Sequence, residues 1–221
     1  MSAPERGQAM SAGAAERGRA MSARDVVLGR IRAALDGAAK PGEVPREYRR
    51  TFGEPDLDLL VERLEDYRAV VHRGSDVAAI VAGVVPRDGL LVVPPDLPAE
   101  WLPPGVRARR DDGLDAASVA AADGVLTAAA VAVAETGTIV LDGSGDQGRR
   151  IITLLPDLHI CVLRPDQVVA AVPEALACLD PRRPQTWISG PSATSDIELN
   201  RVEGVHGPRN LHVILLPKSS G

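Results

Sequence analysis

The stretch VLTAAAVAVAETGTIVLD, residues 125–142, decides the fold of this chain. Two apolar runs, 125–133 and 138–142, have the length and the Val and Ile content of buried strands. The polar residues between them are too few for a helical crossover, so the two strands must run antiparallel. We therefore predict a hairpin at this point of the sheet.

Short apolar runs alternate with helical patterns on both sides of this hairpin. The further predicted strands are 69–72, 89–94, 159–163, 186–189 and 211–216. The predicted helices of this region are 75–84, 114–122, 149–155, 173–179 and 195–200. Such alternation is typical of a parallel sheet that is covered on both faces. The predicted fold is α/β, a three-layer α/β/α sandwich with a mostly parallel sheet plus the antiparallel hairpin.

The N-terminal part has a different composition. Met-Ser-Ala occurs three times within the first 23 residues, where almost nothing could be buried, so we predict a disordered tail and consider Met21 as an alternative start. A capping box, Ser22 to Asp25, then predicts a helix, and a second helix is predicted at 56–67. The predicted organisation is a tail (1–21), an N-terminal helix and linker (22–54) and an α/β domain (55–217).

Composition and charge exclude several classes of function. The net charge of −5 lacks the basic footprint of a nucleic-acid-binding protein. No apolar stretch approaches the length of a membrane span, and no apolar segment of a signal peptide is visible, so we expect a soluble cytoplasmic protein. The only two cysteines, Cys161 and Cys178, cannot by themselves hold a four-thiolate iron–sulfur cluster.

The hairpin turn, Ala134 to Thr138, is the first candidate site. Glu135 is a single carboxylate between strands that are almost entirely apolar, and desolvation would give it the basicity of a general base or nucleophile. The alternative interpretation is structural: a turn needs glycine at a positive φ, which Gly137 supplies, while Glu135 and Thr136 are solvated.

A glycine-rich segment follows the hairpin. Residues 143–148 read GSGDQG, which matches the GxGxxG pattern, but the preceding strand is the return arm of a hairpin and not the first strand of a βαβ unit. A dinucleotide-binding fold is therefore disfavoured. Backbone amides of this segment, with Arg149 and Arg150, could still hold an anion, and the alternative is a solvated loop.

The segment from Gly190 to Arg209 is the richest in polar residues. It lies between two predicted strands, where loops of open α/β sheets carry ligands. His206 stands between Gly and Pro and can change charge near neutral pH. Asp196 and Glu198 either form a metal site with His206 or stabilise the start of a helix capped by Ser195.

Four motifs of the chain resemble the lactate utilization protein C family, also called the LUD domain. The motifs are Ala134-Glu135-Thr136-Gly137-Thr138, Leu154-Leu155-Pro156 with His159-Ile160, Gly190-Pro191-Ser192-x-Thr194-x-Asp196-Ile197-Glu198, and Gly204-Val205-His206-Gly207-Pro208. The resemblance covers about residues 22–217. It implies a fold like the sugar-phosphate isomerase and CoA-transferase superfamily, and a role in oxidising L-lactate to pyruvate with two iron–sulfur partner proteins.

Three functional hypotheses follow. The chain is a subunit of a lactate-oxidising system that binds no cofactor itself, a stand-alone enzyme that uses Glu135 on a phosphorylated or CoA-linked acid, or a small-anion-binding regulatory module. The candidate catalytic residues are Glu135, Asp196 and His206. The candidate substrate-binding residues are Thr136, Thr138, Ser192, Thr194, Glu198 and Arg209.

Overall fold

The computed structural model describes residues 22–38, 42–194, 202–203 and 207–218. The chain divides into two compact units, Met1–Tyr48 and Arg49–Gly221. The described part of the first unit contains one helix, α1 (Ala23–Leu35), none of whose residues is buried. The Ser22 hydroxyl accepts a hydrogen bond from the Asp25 amide, and the Asp25 carboxylate accepts one from the Ser22 amide. The predicted capping box is therefore confirmed.

The second unit contains four described α-helices. They are α2 (Leu57–Asp66), α3 (Val77–Val84), α4 (Ala116–Ala120) and α5 (Val172–Cys178). The carboxylates of Asp56, Asp76 and Asp115 accept amide hydrogen bonds at the starts of α2, α3 and α4. The described residues also form three short 3-10 helices, Ala99–Trp101, Arg150–Thr153 and Pro165–Gln167.

A six-stranded parallel sheet forms the centre of this unit. Its strands are β1 (Val70–Arg73), β2 (Leu90–Val93), β3 (Arg107–Arg110), β4 (Gly124–Thr127), β7 (Leu158–Leu163) and β12 (Asn210–Leu215). They lie in the order β1-β12-β7-β4-β2-β3, and all neighbours are parallel. The strand pattern confirms the α/β class with a mainly parallel sheet.

The hairpin belongs to a second sheet of four strands. These strands are β5 (Val131–Val133), β6 (Thr138–Leu141), β8 (Val168–Val169) and β9 (Thr186–Ile188), in the order β8-β5-β6-β9. The pair β5–β6 is antiparallel, as predicted. The prediction of one continuous strand over 125–133 is wrong, because β4 and β5 lie in different sheets. Ala128 leaves the ladder and donates its amide hydrogen bond to the Asp146 carbonyl.

Both faces of the six-stranded sheet are covered. On one face, α3 places Val77 and Val81 against strand residues such as Leu91 and Ile160. On the other face, α2 and the second sheet pack together on β7 and β12, and the fully buried Leu60 belongs to this cluster. Helix α5 packs on the outer surface of the second sheet. The second sheet therefore lies between the six-stranded sheet and α5, and a ligand site can form between the two sheets.

Several details differ from the predictions. Strand β3 was not predicted, because its sequence RARR is fully exposed at the sheet edge, where arginine discourages unwanted strand pairing. The predicted helix 149–155 is the four-residue 3-10 helix Arg150–Thr153. A further short antiparallel pair joins β10 (Ala193–Thr194) to β11 (Val202–Glu203). The predicted tail 1–21 and helix 195–200 lie outside the described residues.

Candidate functional site

The β5–β6 turn leaves its carboxylate at the surface. Glu135 is exposed, and its backbone amide donates a hydrogen bond to the Ala170 carbonyl. The two threonines form a chain of hydroxyl groups: Thr136 Oγ1 donates to Thr138 Oγ1 at 2.8 Å, and Thr138 Oγ1 lies 2.8 Å from Ser189 Oγ. This chain ties the turn to the end of β9. The candidate residues Thr136 and Thr138 thus have protein partners.

Gly137 at the same turn lies directly on helix α2. Its φ is +61°, and a Cβ atom there would lie 2.6 Å from the Cβ of Arg63. Gly190 has the same relation to the end of α2, since its Cβ would lie 2.6 Å from the Cβ of Tyr67. Two glycines of the family motifs therefore allow the second sheet to approach α2. This contact supports the structural interpretation of the turn.

A cavity of about 250 Å³, here named the His159 cleft, opens between the two sheets. It is lined by Arg150, Thr153, His159, Thr186, Trp187, Ile188, Ser189, Gly190, Pro191, Ser192, Gly207, Pro208 and Leu211. The cleft thus brings residues 190–192 and 207–208 together with the 3-10 helix Arg150–Thr153 and strand β7. Two of its residues, Arg150 and His159, are titratable.

His159 is the buried polar group of the cleft. Only 1% of the residue is exposed, and its Nε2 lies 2.9 Å from the Thr127 hydroxyl. Burial, with a smaller contribution from the positive charge of Arg150, lowers the pKa of His159 to about 4. The imidazole is therefore neutral at pH 7, and it offers one donor and one acceptor nitrogen.

Arg150 brings a positive charge to the same cleft. Its Nη1 donates to the carbonyl oxygen and to the hydroxyl of Thr153, at 2.9 and 3.1 Å. Partial burial lowers the pKa of this guanidinium from its usual value, but arginine stays protonated at neutral pH. The cleft therefore combines a fixed cation with a neutral imidazole, an arrangement that suits a small anion carrying a hydroxyl or carbonyl oxygen.

A second cavity of about 400 Å³, the glycine-loop crevice, adjoins the first. It shares Arg150, Thr153 and Thr186 with the His159 cleft. Its other lining residues are Pro95, Asp111, Leu141, Gly143, Ser144, Gly145, Gly148, Arg149 and Pro184. The two cavities thus meet at Arg150.

The structure describes only part of the Gly190 to Arg209 segment. The Ser192 amide donates to the Pro208 carbonyl at 2.8 Å, which holds the two ends of the segment together. Arg209 forms a bidentate ion pair with Asp157, at 2.5 and 2.8 Å, and this contact lowers the pKa of the Asp157 carboxyl. Thr194 lies in β10.

Three of the predicted site residues, Asp196, Glu198 and His206, lie outside the described residues, and their roles stay predictions. The metal site suggested for them is untested for the same reason. Within the described ranges, no three His, Cys, Asp or Glu side chains group in a way that could hold a metal ion. Glu135 is not among the residues lining either cavity, and its catalytic role also stays a prediction.

His159 and Thr153 were not chosen as site residues from the sequence. Arg150 was considered only together with the glycine-rich segment. The available signal was His159 itself, a polar residue inside the otherwise apolar run 158–163. A histidine in such a run needs a buried hydrogen-bond partner, and Thr127 in the neighbouring strand supplies it.

Comparison with known proteins gives consistent matches. A family model described as the LUD domain matches residues 57–216. Lactate utilization protein C of Deinococcus radiodurans is 48% identical over 167 residues, covering 72% of this chain and 79% of that protein. Lactate utilization protein C 1 of Bacillus mycoides is 34% identical over 104 residues, covering 43% of this chain and 44% of that protein.

One solved structure is similar in both sequence and fold. It is the crystal structure of a DUF162 family protein from Deinococcus radiodurans, with a TM-score of 0.64 and 40% sequence identity. The match covers 73% of this chain and 96% of that protein. No described helix of the present chain combines the length and the hydropathy needed to cross a membrane.

Proposed function

Since this chain belongs to the LUD domain family, we propose that it is a subunit of a multiprotein system that oxidises L-lactate to pyruvate. The names of its relatives, lactate utilization protein C, support a role in lactate utilization. We propose that the chain contributes a binding site for the three-carbon acid, and that iron–sulfur partner proteins carry the electrons.

One observation carries the proposed binding site: Arg150 and His159 line the same cleft between the two sheets. L-Lactate has a carboxylate and an adjacent hydroxyl, and the guanidinium of Arg150 complements the carboxylate. The neutral imidazole of His159 complements the hydroxyl, because it can accept or donate one hydrogen bond. The cavity of about 250 Å³ is slightly smaller than typical drug-sized pockets, which fits a three-carbon acid.

The thiols of the chain support the assignment of the clusters to partner proteins. Cys161 is buried in β7, and burial raises the pKa of its thiol to about 12, so the thiolate that would bind iron is disfavoured. Cys178 is exposed in α5. Oxidation of lactate to pyruvate releases two electrons and two protons, and we propose that the electrons leave through the partners' clusters.

A binding experiment tests the site directly. Titration of the purified chain with L-lactate and with pyruvate, followed by calorimetry, should show saturable binding. Arg150→Gln should weaken it at least tenfold, since it removes the charge that pairs with the carboxylate. Arg182→Gln is the matched control, because Arg182 is highly exposed and pairs only with nearby Asp180 among its described contacts. Equal affinity in wild type and Arg150→Gln would contradict the proposed site.

Co-purification tests the partners. A tagged copy of the chain, expressed in its own host during growth on lactate, should capture iron–sulfur proteins with their characteristic visible absorbance. Turnover of a phosphorylated or CoA-linked acid by the purified chain alone would instead favour a stand-alone enzyme. Anion binding with neither partners nor turnover would favour a regulatory module.

A further inference from the structure

The strand order of the six-stranded sheet creates a topological switch point between β2 and β4. From β2 the chain continues to β3 at the edge of the sheet. This connection, which contains the 3-10 helix Ala99–Trp101, packs on the same face of the sheet as α3. From β4 it continues in the other direction to β7, passing through the second sheet on the opposite face. Ligands of open α/β sheets bind in the crevice at the carboxyl ends of such strands. The glycine-loop crevice lies at this position, with Pro95 and Asp111 after β2 and β3 in its lining.

The loop that walls this crevice is held rigidly to both strands of the switch point. The Gly145 carbonyl accepts a hydrogen bond from the amide of Asp96, which follows β2, at 2.9 Å. The Asp146 carbonyl accepts one from the amide of Ala128, which follows β4, at 2.9 Å. Gly145 packs so closely on Asp96 that a Cβ atom would overlap its carboxylate. The wall of the crevice is therefore preformed.

An arginine in this crevice is fixed by a buried carboxylate. Asp111, with a side chain only 1% exposed, accepts from Nε of Arg149 at 2.8 Å and from Nη2 at 2.5 Å. Nη2 of Arg149 also donates to the Leu114 carbonyl. The hydrogen bond from Arg149 holds the pKa of the Asp111 carboxyl below its usual range. Among the described residues, Nη1 of Arg149 has no hydrogen-bond acceptor, and half of the side chain is exposed.

The charges around the crevice favour an anion. Arg150 adds a second guanidinium to the lining beside Arg149, whose ion pair with Asp111 holds it in place. Asp142, which directly precedes the glycine loop in sequence, forms an ion pair with Arg183 at 3.4 Å. A dianionic group that contacts both guanidinium groups would gain more from this arrangement than a single carboxylate would.

We propose that the glycine-loop crevice binds the phosphate group of a small phosphorylated ligand, with Arg149 as its fixed contact and Arg150 as its second. The crevice is larger than the His159 cleft, about 400 against 250 Å³, so the remainder of such a ligand also has room. The crevice is a different cavity from the proposed lactate site, and Arg149 lines only the crevice, but the two cavities share Arg150. The two ligands would approach each other at Arg150.

Calorimetric titration with inorganic phosphate tests the site. The wild-type chain should bind one phosphate, and Arg149→Gln should weaken the affinity at least tenfold, whereas Arg182→Gln should leave it unchanged. Parallel titrations with pyrophosphate and with a nucleoside diphosphate identify the source, because the natural class of ligand should bind more tightly than free phosphate. Absence of phosphate binding, or equal binding by Arg149→Gln, overturns the proposal.

Asp111→Asn separates a built site from general attraction of an anion by positive charge. The substitution removes a negative charge beside the anion, so Coulomb attraction alone predicts tighter phosphate binding. If Asp111 holds Arg149 in position, its loss should weaken binding several-fold, and tighter binding overturns the proposal. Arg149→Lys keeps a positive charge beside the buried Asp111 carboxylate but loses the two-pronged contact of the guanidinium. This substitution should therefore also weaken phosphate binding several-fold. If the wild-type chain binds lactate but not phosphate, this inference is wrong and the proposed function is unaffected.

Discussion

The β5–β6 turn and the His159 cleft both place polar residues beside buried strands. At the turn the polar side chain is exposed to solvent, whereas in the cleft it is buried. At the turn, Glu135 points into solvent, and Gly137 provides the tight contact with helix α2. In the cleft, His159 is almost completely buried, and a cation lies beside it. Buried, perturbed titratable groups in a cleft indicate function more strongly than exposed groups at a turn. The turn therefore has a structural role, and the cleft is the proposed ligand-binding site.

Gly137→Ala should give the largest change in stability. The alanine would have to keep the positive φ of Gly137. Its Cβ would lie 2.6 Å from the Arg63 Cβ and 2.9 Å from the Arg63 carbonyl carbon. Backbone strain and overpacking together predict a loss of about 2–5 kcal/mol in the free energy of unfolding. Urea denaturation measures it.

Gly113→Ala provides the matched control for this substitution. Gly113 also has a positive φ, +106°, but nothing lies within 4 Å of the position of its Cβ. Its cost should therefore be the backbone strain alone. If both variants lose the same free energy of unfolding, the contact between the turn and α2 has no structural importance.

The pH dependence of stability should report on the cleft. The pKa of His159 is about 4 in the folded chain, against an ordinary value of 6.5, so the unfolded chain binds more protons between these values. Stability from this group is complete above pH 6.5 and is lost as the pH falls towards 4. The expected loss between pH 7 and pH 4 is about 3 kcal/mol.

His159→Gln isolates this contribution, because glutamine keeps hydrogen-bonding groups but does not titrate in this range. The wild-type free energy of unfolding should fall more steeply than that of the variant as the pH is lowered. His212, whose pKa is lowered by burial and by His72, contributes equally to both proteins. Parallel slopes for the two proteins would mean that His159 is not a buried neutral imidazole.

Asp157→Asn should have the smallest effect. The ion pair between Asp157 and Arg209 is bidentate, but the side chains are 46% and 54% exposed. Exposed pairs of this kind contribute less than about 1 kcal/mol to stability. A larger loss, measured by the same urea denaturation, would show that this pair fixes the Gly207–Pro208 wall of the cleft more strongly than its exposure indicates.

The sequence was sufficient for the fold class and the hairpin because both depend on local patterns. Alternating apolar runs identified most strands of the parallel sheet, and the short turn required an antiparallel pair. The passage from one sheet to the other at Ala128–Ala130 was not predictable, because both β4 and β5 are fully buried and the residues between them are all alanine. Strand β3 was missed since its arginines suit an exposed edge.

The candidate site was predictable only in part. The segment after Gly190 was predicted as a candidate site, and Ser192 of this segment lies in the lining of the cleft; its role stays a prediction. His159 was named only as part of a family motif and was not chosen as a site residue, because a polar residue in an apolar strand has no local signal of what it faces. Its meaning depends on Thr127 and Arg150, which are distant in sequence and meet it only through the sheet register and the packing of a 3-10 helix.

The affinity for L-lactate of Arg150→Gln and Glu135→Gln, measured side by side by calorimetry, tests the central assignment most directly. Both substitutions remove one charge; glutamine has the same shape as glutamate, and in place of arginine it keeps an uncharged hydrogen-bonding group. We expect Arg150→Gln to lose at least tenfold in affinity and Glu135→Gln to match the wild type. A loss in Glu135→Gln with full affinity in Arg150→Gln would contradict the account and return the site to the β5–β6 turn.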